Sequence, residues 1–479
     1  MKILLIQPEC QTGVIGFRLA AMPEPLALEI LAASVPDHEV RILDLRIQGD
    51  LPAVLESFSP DLVAVTALTT EVYAAMDVLR AVKRHSKEIF TLVGGYHVSL
   101  IPEDFFIPEV DAVSIGEGEQ SFSRLVEALS GGGDLSAVPS ILYRDRSGQW
   151  IRTPLSEEKI DMDRLPLPRR DLTSACREEY FFLFDKPDSS IVTGRGCPYQ
   201  CNFCSVWEFY RGKTRQMSPL RVMEEIVAVN TDHITFVDDN FLMNYRRESA
   251  IADLIRAHGV RKRYSMECRT DSIVKHPDLV KRWVDVGLYA VLAGLEGCEA
   301  TLKSVNKKNS LKTNDEAIRI LKDNGVIIWG AFIVDPQWGE DDFKRLREYV
   351  DAKEITHTQF TVLTPLPGTE LYRQRYAELL TSDYSCYDTL HAVTPTHLPR
   401  ERFYELYAGL YKQTGLGPYY ELVSQGKLSI ADCRKGKAML EAMTHWELYL
   451  EKDPVLGRCR DKGQARPAAP RPPVRQASA

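Results

Sequence analysis

Cys197, Cys201 and Cys204 form the one close group among the ten cysteines of this 479-residue chain, in Gly194-Arg195-Gly196-Cys197-Pro198-Tyr199-Gln200-Cys201-Asn202-Phe203-Cys204. The spacing is C-x3-C-x2-C. Three thiolates on one loop can ligate three irons of a [4Fe–4S] cube, because a loop wraps a compact body where a helix would spread its side chains. The fourth iron is left without a protein ligand, and an open coordination position on a metal is where a substrate binds. Gly194 and Gly196 allow the backbone close to such a cluster. A structural zinc site is the rival reading, but it usually takes four ligands in paired spacings, and no second Cys pair or His lies nearby in sequence. The seven scattered cysteines read as small buried hydrophobes.

The cysteines follow the first of six apolar runs separated by helical stretches: 189–196, 233–241, 263–271, 289–297, 325–336 and 357–369. Polar residues gather at the C-terminal ends of these runs, among them Asp238, Asp239, Glu267, Arg269, Glu296 and Asp335. Parallel α/β barrels carry their active sites at those ends. Six units predict a partial (β/α)6 barrel over 187–375.

Before it, strand-like runs at 2–8, 40–45, 61–68, 90–95 and 111–119 alternate with helical patterns at 25–35, 70–85 and 119–130. Such alternation predicts an α/β fold with a parallel, doubly wound, Rossmann-like sheet over 1–135. A hairpin at 138–154, turning at Asp145-Arg146-Ser147-Gly148, and a Pro-rich charged stretch at 162–172 make 136–186 a hairpin and linker. A small helical C-terminal domain is expected over 376–457, from the helices 400–413, 418–428 and 438–453. Its aromatic residues either pack it onto the barrel or wall a large apolar substrate. The tail 458–479, rich in Pro, Ala and Arg, reads as disordered.

The net charge of −8 offers no global field for nucleic acid. The N-terminal apolar run, broken by Pro8, reads as a buried strand and not a signal peptide. No run of about 18 apolar residues suits a membrane span. The chain is expected in the cytoplasm, with room for peripheral contact at the inner membrane face through the basic tail (Arg458, Arg460, Lys462, Arg466, Arg471, Arg475 against Asp461).

The cysteine segment resembles the radical S-adenosylmethionine (SAM) superfamily over about 187–375. That resemblance implies that SAM binds the open iron and is cleaved to a 5′-deoxyadenosyl radical, with an electron donor such as flavodoxin or ferredoxin as partner. Phe203 matches the aromatic position that shields the cluster beside the adenine, and Glu296 the end of the fourth strand, near the methionine moiety of SAM. Glu267 and Arg269 are expected either to meet the amine and carboxylate of SAM, by charge, or to pair with each other at the barrel mouth.

The N-terminal unit resembles the cobalamin-binding domain found before many such barrels, in Val93-Gly94-Gly95-Tyr96-His97-Val98-Ser99 and Gly116-Glu117-Gly118-Glu119. Doubly wound sheets bind ligands beyond the strand C-termini. The resemblance therefore assigns cobalamin to Asp44, Arg46, Gly49, Thr66, Gly94, Gly95, His97, Gly116, Glu117 and Gly118. A nucleotide-binding Rossmann unit is the alternative, but G-x-G-x-x-G is missing after the first strand. One type of cobalamin domain ligates cobalt through the His of D-x-H-x-x-G. Here the frame reads Asp44-Leu45-Arg46-Ile47-Gln48-Gly49, and Arg stays protonated and cannot ligate. His97 is the rival nitrogen.

Cobalamin with radical SAM chemistry implies either C-methylation from methylcobalamin or oxidative chemistry of the kind done by the anaerobic magnesium-protoporphyrin IX monomethyl ester cyclase. Segment 204–210 resembles both branches. Segments 259–264 with Glu267 and Arg269, 335–338, 364–370 and 387–399 lean toward the hopanoid C-3 methylase branch. This implies a methyltransferase acting on an unactivated sp3 carbon of an apolar small molecule or lipid, C-3 of a hopanoid first and another apolar substrate otherwise. A sensor without catalysis is the remaining class, and it has no use for an open iron.

Overall fold

The structure, a computed structural model, describes residues 1–10, 21–156, 160–182, 185–355, 357–412, 424, 441, 443–451 and 453–456. The N-terminal apolar runs form five parallel strands: β1 Lys2–Gln7, β2 Glu39–Asp44, β3 Leu62–Thr66, β4 Phe90–Gly94 and β5 Ala112–Ser114. Their order is β2-β1-β3-β4-β5, with Ile3 opposite both Val40 and Leu62. Successive side chains leave opposite faces of a strand. Leu4 and Ile6 accordingly pack with α2 (Leu51–Phe58) and α3 (Val72–His85), and Ile3 and Leu5 with α1 (Leu26–Ala33) and α4 (Gly118–Gly131). Burial on both faces is why β1 reads as an unbroken apolar run.

The expected hairpin is present as β6 Ile141–Arg144 and β7 Trp150–Arg152, with the Asp145 carboxylate accepting from the amides of Ser147 and Gln149 across the turn. It does not stand between the domains, however. β6 pairs antiparallel with β5, Val113 opposite Leu142, so the first sheet has seven strands and continues past residue 135 to Arg152. The free edge of β5 takes the hairpin because an unpaired strand edge is a template for another strand.

The segment 162–179 is likewise more than a tether. Arg170 pairs with Glu24 of the first unit (3.2 Å) and with Glu225 of the second (3.1 Å), and Arg177 pairs with Glu24. Burial and the neighbouring Glu24 push Glu29 up to about 7.

The six barrel runs become β8 Asp188–Ile191, β9 His233–Phe236, β10 Arg263–Cys268, β11 Leu288–Gly294, β12 Ile327–Val334 and β13 His357–Val362. They pair in chain order, all parallel, and β8 and β13 are the two edges of an open barrel. Helices α5 Pro219–Ala228, α6 Tyr245–Ala257, α7 Pro277–Val284, α8 Leu311–Asp323 and α9 Glu340–Ala352 cover it. Ser218, Asn244 and Ser310 cap α5, α6 and α8, each taking up an amide the helix leaves unpaired.

Past β13 the chain returns to the first unit, where Tyr384, Cys386, Tyr387 and Val393 enter the core under α3. Helix α10 (Arg400–Lys412) then packs on the barrel, burying Phe403, Tyr404, Tyr407 and Tyr411. Tyr407 and Tyr411 both donate to the Phe360 carbonyl, so these aromatic residues serve packing. Helix α11 (Trp446–Glu451) lies within the expected helix 438–453. The expected helix 418–428, Ser424 apart, and the tail 458–479 lie outside the described residues. No helix among the described residues is long and apolar enough to cross a membrane.

Candidate active site

The cysteine loop leaves β8 through Thr193 and a two-residue strand, Gly194–Arg195, paired with Arg215–Gln216. At Gly196 φ is +84°, and a Cβ there would lie 2.1 Å from the Lys213 carbonyl oxygen, so only glycine fits. The Gly196 amide donates to Asp239 Oδ2 (2.7 Å). Trp207 Nε1 donates to the Cys201 carbonyl (2.9 Å), and Asn202 is held by Ser304 and by the Leu371 amide. The loop is thus fixed by the ends of three different barrel units.

Cys197 feels the charge of Cys201, and Cys204 that of both other thiols, which places the three together. Burial raises all three, Cys204 to about 12, while Lys307 and Arg269 pull Cys201 the other way. Iron must therefore displace protons on binding. Among the described residues no three His, Cys, Asp or Glu side chains converge as the ligands of a single metal ion do. Three thiols on one loop, too far spread for a single ion and with no fourth such ligand converging on them among the described residues, suit a [4Fe–4S] cube with one open iron.

The remaining barrel-mouth residues do not pair as charge alone suggested. Arg269 does not meet Glu267. Its Nε donates to Asp271 (2.9 Å), Nη2 to the Lys307 carbonyl (2.8 Å), and its guanidinium covers the Tyr199 ring at 3.5 Å. Nη1 stands 3.9 Å from Cys201 Sγ, so Arg269 backs the cluster loop. Planar guanidinium suits both tasks, stacking on the ring and forking to a carboxylate. Glu296 is buried, holds the left-handed φ of 58°, and pairs with Lys307. A non-glycine residue in that region is uncommon and is held there by its surroundings.

Glu267 is exposed to solvent, yet desolvation, then Asp239 and Glu296, push it up to about 7. A carboxylate that is both accessible and poorly hydrated lines a recess in the protein, not its outer surface. Phe203 packs with Val305, Ile333, Leu363 and Leu371 beside the loop. Glu267, Glu296, Lys307 and Asp239 thus form one charged group near the thiols, able to meet an amine and a carboxylate. Lys307 and Asp239 were missing from the expected SAM site. Asp239 stood at a strand end, but nothing in the run Asn306-Lys307-Lys308-Asn309 marks Lys307.

At the C-terminal ends of the first sheet, Arg46 folds back on Asp44 through Nε (2.8 Å) and Nη2 (2.6 Å). His97 is fully engaged: Thr69 Oγ1 lies 3.2 Å from Nδ1 and Asp104 Oδ2 3.0 Å from Nε2, and Asp104 also accepts from Tyr384 (2.6 Å). It belongs to the core and presents no free nitrogen to a metal. Gly95, at φ +115°, leaves no room for a Cβ beside Thr66 Oγ1 and Ala67, each within 2.9 Å. Gly94, Gly116 and Gly118 lie on the same rim, Gly116 hydrogen-bonded to Ser99 Oγ (2.8 Å), and Leu68 stands there 50% exposed. Gly49 lies farther along its loop, exposed. The rim offers backbone and one apolar side chain, fitting a large flat ligand.

Glu117 is committed elsewhere. Arg195, two residues before the first cysteine, donates from Nη1 to Glu117 (2.6 Å) and from Nη2 to Glu119 (2.5 Å), and Arg215 pairs with Glu117 (2.5 Å). Tyr96 stacks on Phe209 at 4.1 Å. The strand ends of the first sheet therefore face the cysteine loop across a shared boundary. Neither arginine nor Glu119 was among the expected site residues.

Two family descriptions match: "B12 binding domain" over residues 14–126 and "Radical SAM superfamily" over 191–350. The chain is 32% identical over 414 residues to the hopanoid C-3 methylase of Methylococcus capsulatus, covering 84% of this chain and 78% of that protein. It is 26% identical over 422 residues to the anaerobic magnesium-protoporphyrin IX monomethyl ester cyclase of Rubrivivax gelatinosus, covering 83% and 74%. The fold matches that of the cobalamin-dependent SAM radical enzyme OxsB, solved with aqua-cobalamin and SAM, at a TM-score of 0.70 and 17% identity, over 93% of this chain and 71% of that one.

Proposed function

Given that the chain belongs to the cobalamin-dependent radical SAM methyltransferases, we propose that it methylates an unactivated sp3 carbon of an apolar polycycle, C-3 of a hopanoid. The identity of 32% with the hopanoid C-3 methylase, spread over most of both chains, is the observation that carries the substrate. Its cofactors are a [4Fe–4S] cluster, SAM and cobalamin. When bound, cluster and SAM supply a 5′-deoxyadenosyl radical and cobalamin a transferable methyl group. A saturated ring carbon has no acidic proton, so acid–base catalysis cannot activate it.

The chain's own residues bind and orient. Cys197, Cys201 and Cys204 hold three irons, and Phe203 walls the cluster. Lys307 serves the carboxylate of SAM, and Glu267 and Glu296 its amine. Arg269 fixes the loop through Tyr199 and Asp271 rather than touching SAM. Thr66, Leu68, Gly94, Gly95 and the backbone of 116–118 would cradle cobalamin, with Arg46 tied to Asp44 and His97 held by Thr69 and Asp104. Arg195 sets the cradle against the cluster loop.

The test is expression in a host that makes unmethylated hopanoids. Products heavier by one methyl group are expected, with S-adenosylhomocysteine and 5′-deoxyadenosine formed in equal amounts. No such product, together with 5′-deoxyadenosine but no S-adenosylhomocysteine on a porphyrin ester, would replace this reading with the cyclase one.

A further inference from the structure

A groove of about 520 Å³ opens beside the cysteine loop, between the start of α6 and the start of α7, and no part of the mechanism above uses it. Pro198, the neighbour of Cys197, and Met243 give it an apolar floor, and Arg246, Lys275 and His276 line it. Arg246, Lys275 and Pro198 are exposed. Thr214, also in the lining, ends a loop whose Arg211 and Lys213 are exposed too, and whose Lys213 carbonyl packs directly on Gly196. These four cations have no carboxylate partner among the described residues. Acids of the same segments are occupied: Asp278 accepts from Tyr245 (2.5 Å), Asp271 is held by Arg269 and Tyr199, and Glu208 pairs with Arg373. The chain as a whole is negative, at −8, so this is a local reversal of sign.

We infer that this cation-rimmed groove is the docking surface for an acidic one-electron carrier protein. The inference rests on the cluster reading above and names the partner for that site. A carrier seated on Pro198 is separated from the first cluster cysteine by a single peptide bond, and electron transfer demands close approach. Its acidic face meets Arg246, Lys275, Arg211 and Lys213, which steer encounter and set orientation. One electron leaves the reduced carrier and enters the cluster, and no proton or group is transferred with it. Small anions could answer the same charges, but the rim is spread over the start of α6, the end of the helix Thr270–Lys275 and a loop, the footprint of a protein face.

The experiment uses the full chain, reconstituted, with an acidic bacterial flavodoxin as probe. Two measurements are made on the wild type and on the double variants Arg246→Glu/Lys275→Glu and Arg211→Glu/Lys213→Glu. They are the affinity for oxidised flavodoxin by calorimetry at low and high salt, and 5′-deoxyadenosine formation driven by reduced flavodoxin or by dithionite. Wild-type binding should weaken with salt. The variants should bind about tenfold more weakly at low salt and lose rate to a similar degree with flavodoxin. With dithionite, which needs no docking, they should match the wild type. Unchanged flavodoxin affinity in both variants, or equal losses with both reductants, overturns the proposal. Failure of the wild type to cleave SAM even with dithionite would instead strike the cluster reading, since flavodoxin affinity is read separately.

Discussion

Replacing Arg195 by Met tests whether one buried side chain joins the cobalamin cradle to the cluster loop. The Arg195 side chain is 8% exposed, and it reaches Glu117 and Glu119, which are 17% and 11% exposed. Glu119 Oε2 is buried without a hydrogen bond, so the carboxylate depends on Arg195 at its other oxygen. Breaking a buried pair by removing one partner costs about 3–5 kcal/mol, because the survivor stays charged and desolvated. Arg215 still neutralises Glu117 here, which argues for the lower end, about 3 kcal/mol. Glu119→Gln in the Arg195→Met background should recover most of the loss, and Arg195→Lys only part, since an ammonium cannot fork to two carboxylates. Urea denaturation of the wild type, Arg195→Met, Glu119→Gln and the double variant gives the coupling energy as a double-mutant cycle.

The pH dependence carries its own sign. In the wild type, desolvation of Glu119 is overcome by Arg195, and its carboxyl lies below the ordinary 4.5. A depressed carboxyl stabilises the fold above the unfolded value and loses that contribution as pH falls through the folded one. Without Arg195 desolvation, the largest influence, outweighs what a backbone amide and Arg215 still contribute, and the carboxyl rises above 4.5. Between the unfolded value and the raised one, the folded variant binds a proton that the unfolded chain does not, so the variant gains stability as pH falls. Its deficit should be larger at pH 8 than near pH 5. A deficit under about 1 kcal/mol, as for a surface pair, or one flat across that range, would refute the reasoning.

The other expectations are briefer. Cys197→Ala, Cys201→Ala and Cys204→Ala should each lose the iron–sulfur absorbance and SAM cleavage. Cys268→Ala and Cys298→Ala should keep both, because Cys268 is buried in β10 and Cys298 caps the helix at Glu299–Ser304. The EPR spectrum of bound cobalt(II) cobalamin should show no splitting from a protein nitrogen. Triplet splitting would mean that His97 leaves Thr69 and Asp104.

The sheets were legible because parallel strands buried on both faces must be apolar throughout, and β1 to β5 and β8 to β13 each lie within or largely within an apolar run. The cysteine loop was legible from spacing. Partnership between distant charges was not. Arg195 meets carboxylates 78 and 76 residues earlier in the chain, and no local pattern marks it apart from Arg211 or Arg215. Glu267 lies near the end of β10 and Arg269 just past that end, two residues on, which invited pairing. Alternation sends them on together, yet Asp271 in the following helix offers Arg269 a nearer carboxylate, and Glu267 stays in the recess. Tyr384 and Tyr387 read as part of a C-terminal helical domain because aromatic residues announce burial without saying in which core. They belong to the first.

Both sheets present their loops at strand C-termini, for the same reason: helices returning on the flanks leave that end open. Two such ends facing each other make a gap lined by loops from both sides, with the cluster cysteines on one wall and the glycine rim on the other. What sets the width of the gap is then the joint between the walls. An apolar joint could slide, since dispersion contacts have no preferred partner. Arg195 forked between Glu117 and Glu119, with Arg215 beside it, fixes both distance and orientation, because each bond has a direction. The Tyr96–Phe209 stack adds a second point of contact, and Arg170 and Arg177 a third, through Glu24 and Glu225. A radical made on one wall and a methyl group held on the other can serve the same carbon only at a fixed separation, and three such points are enough to hold one rigid wall against another.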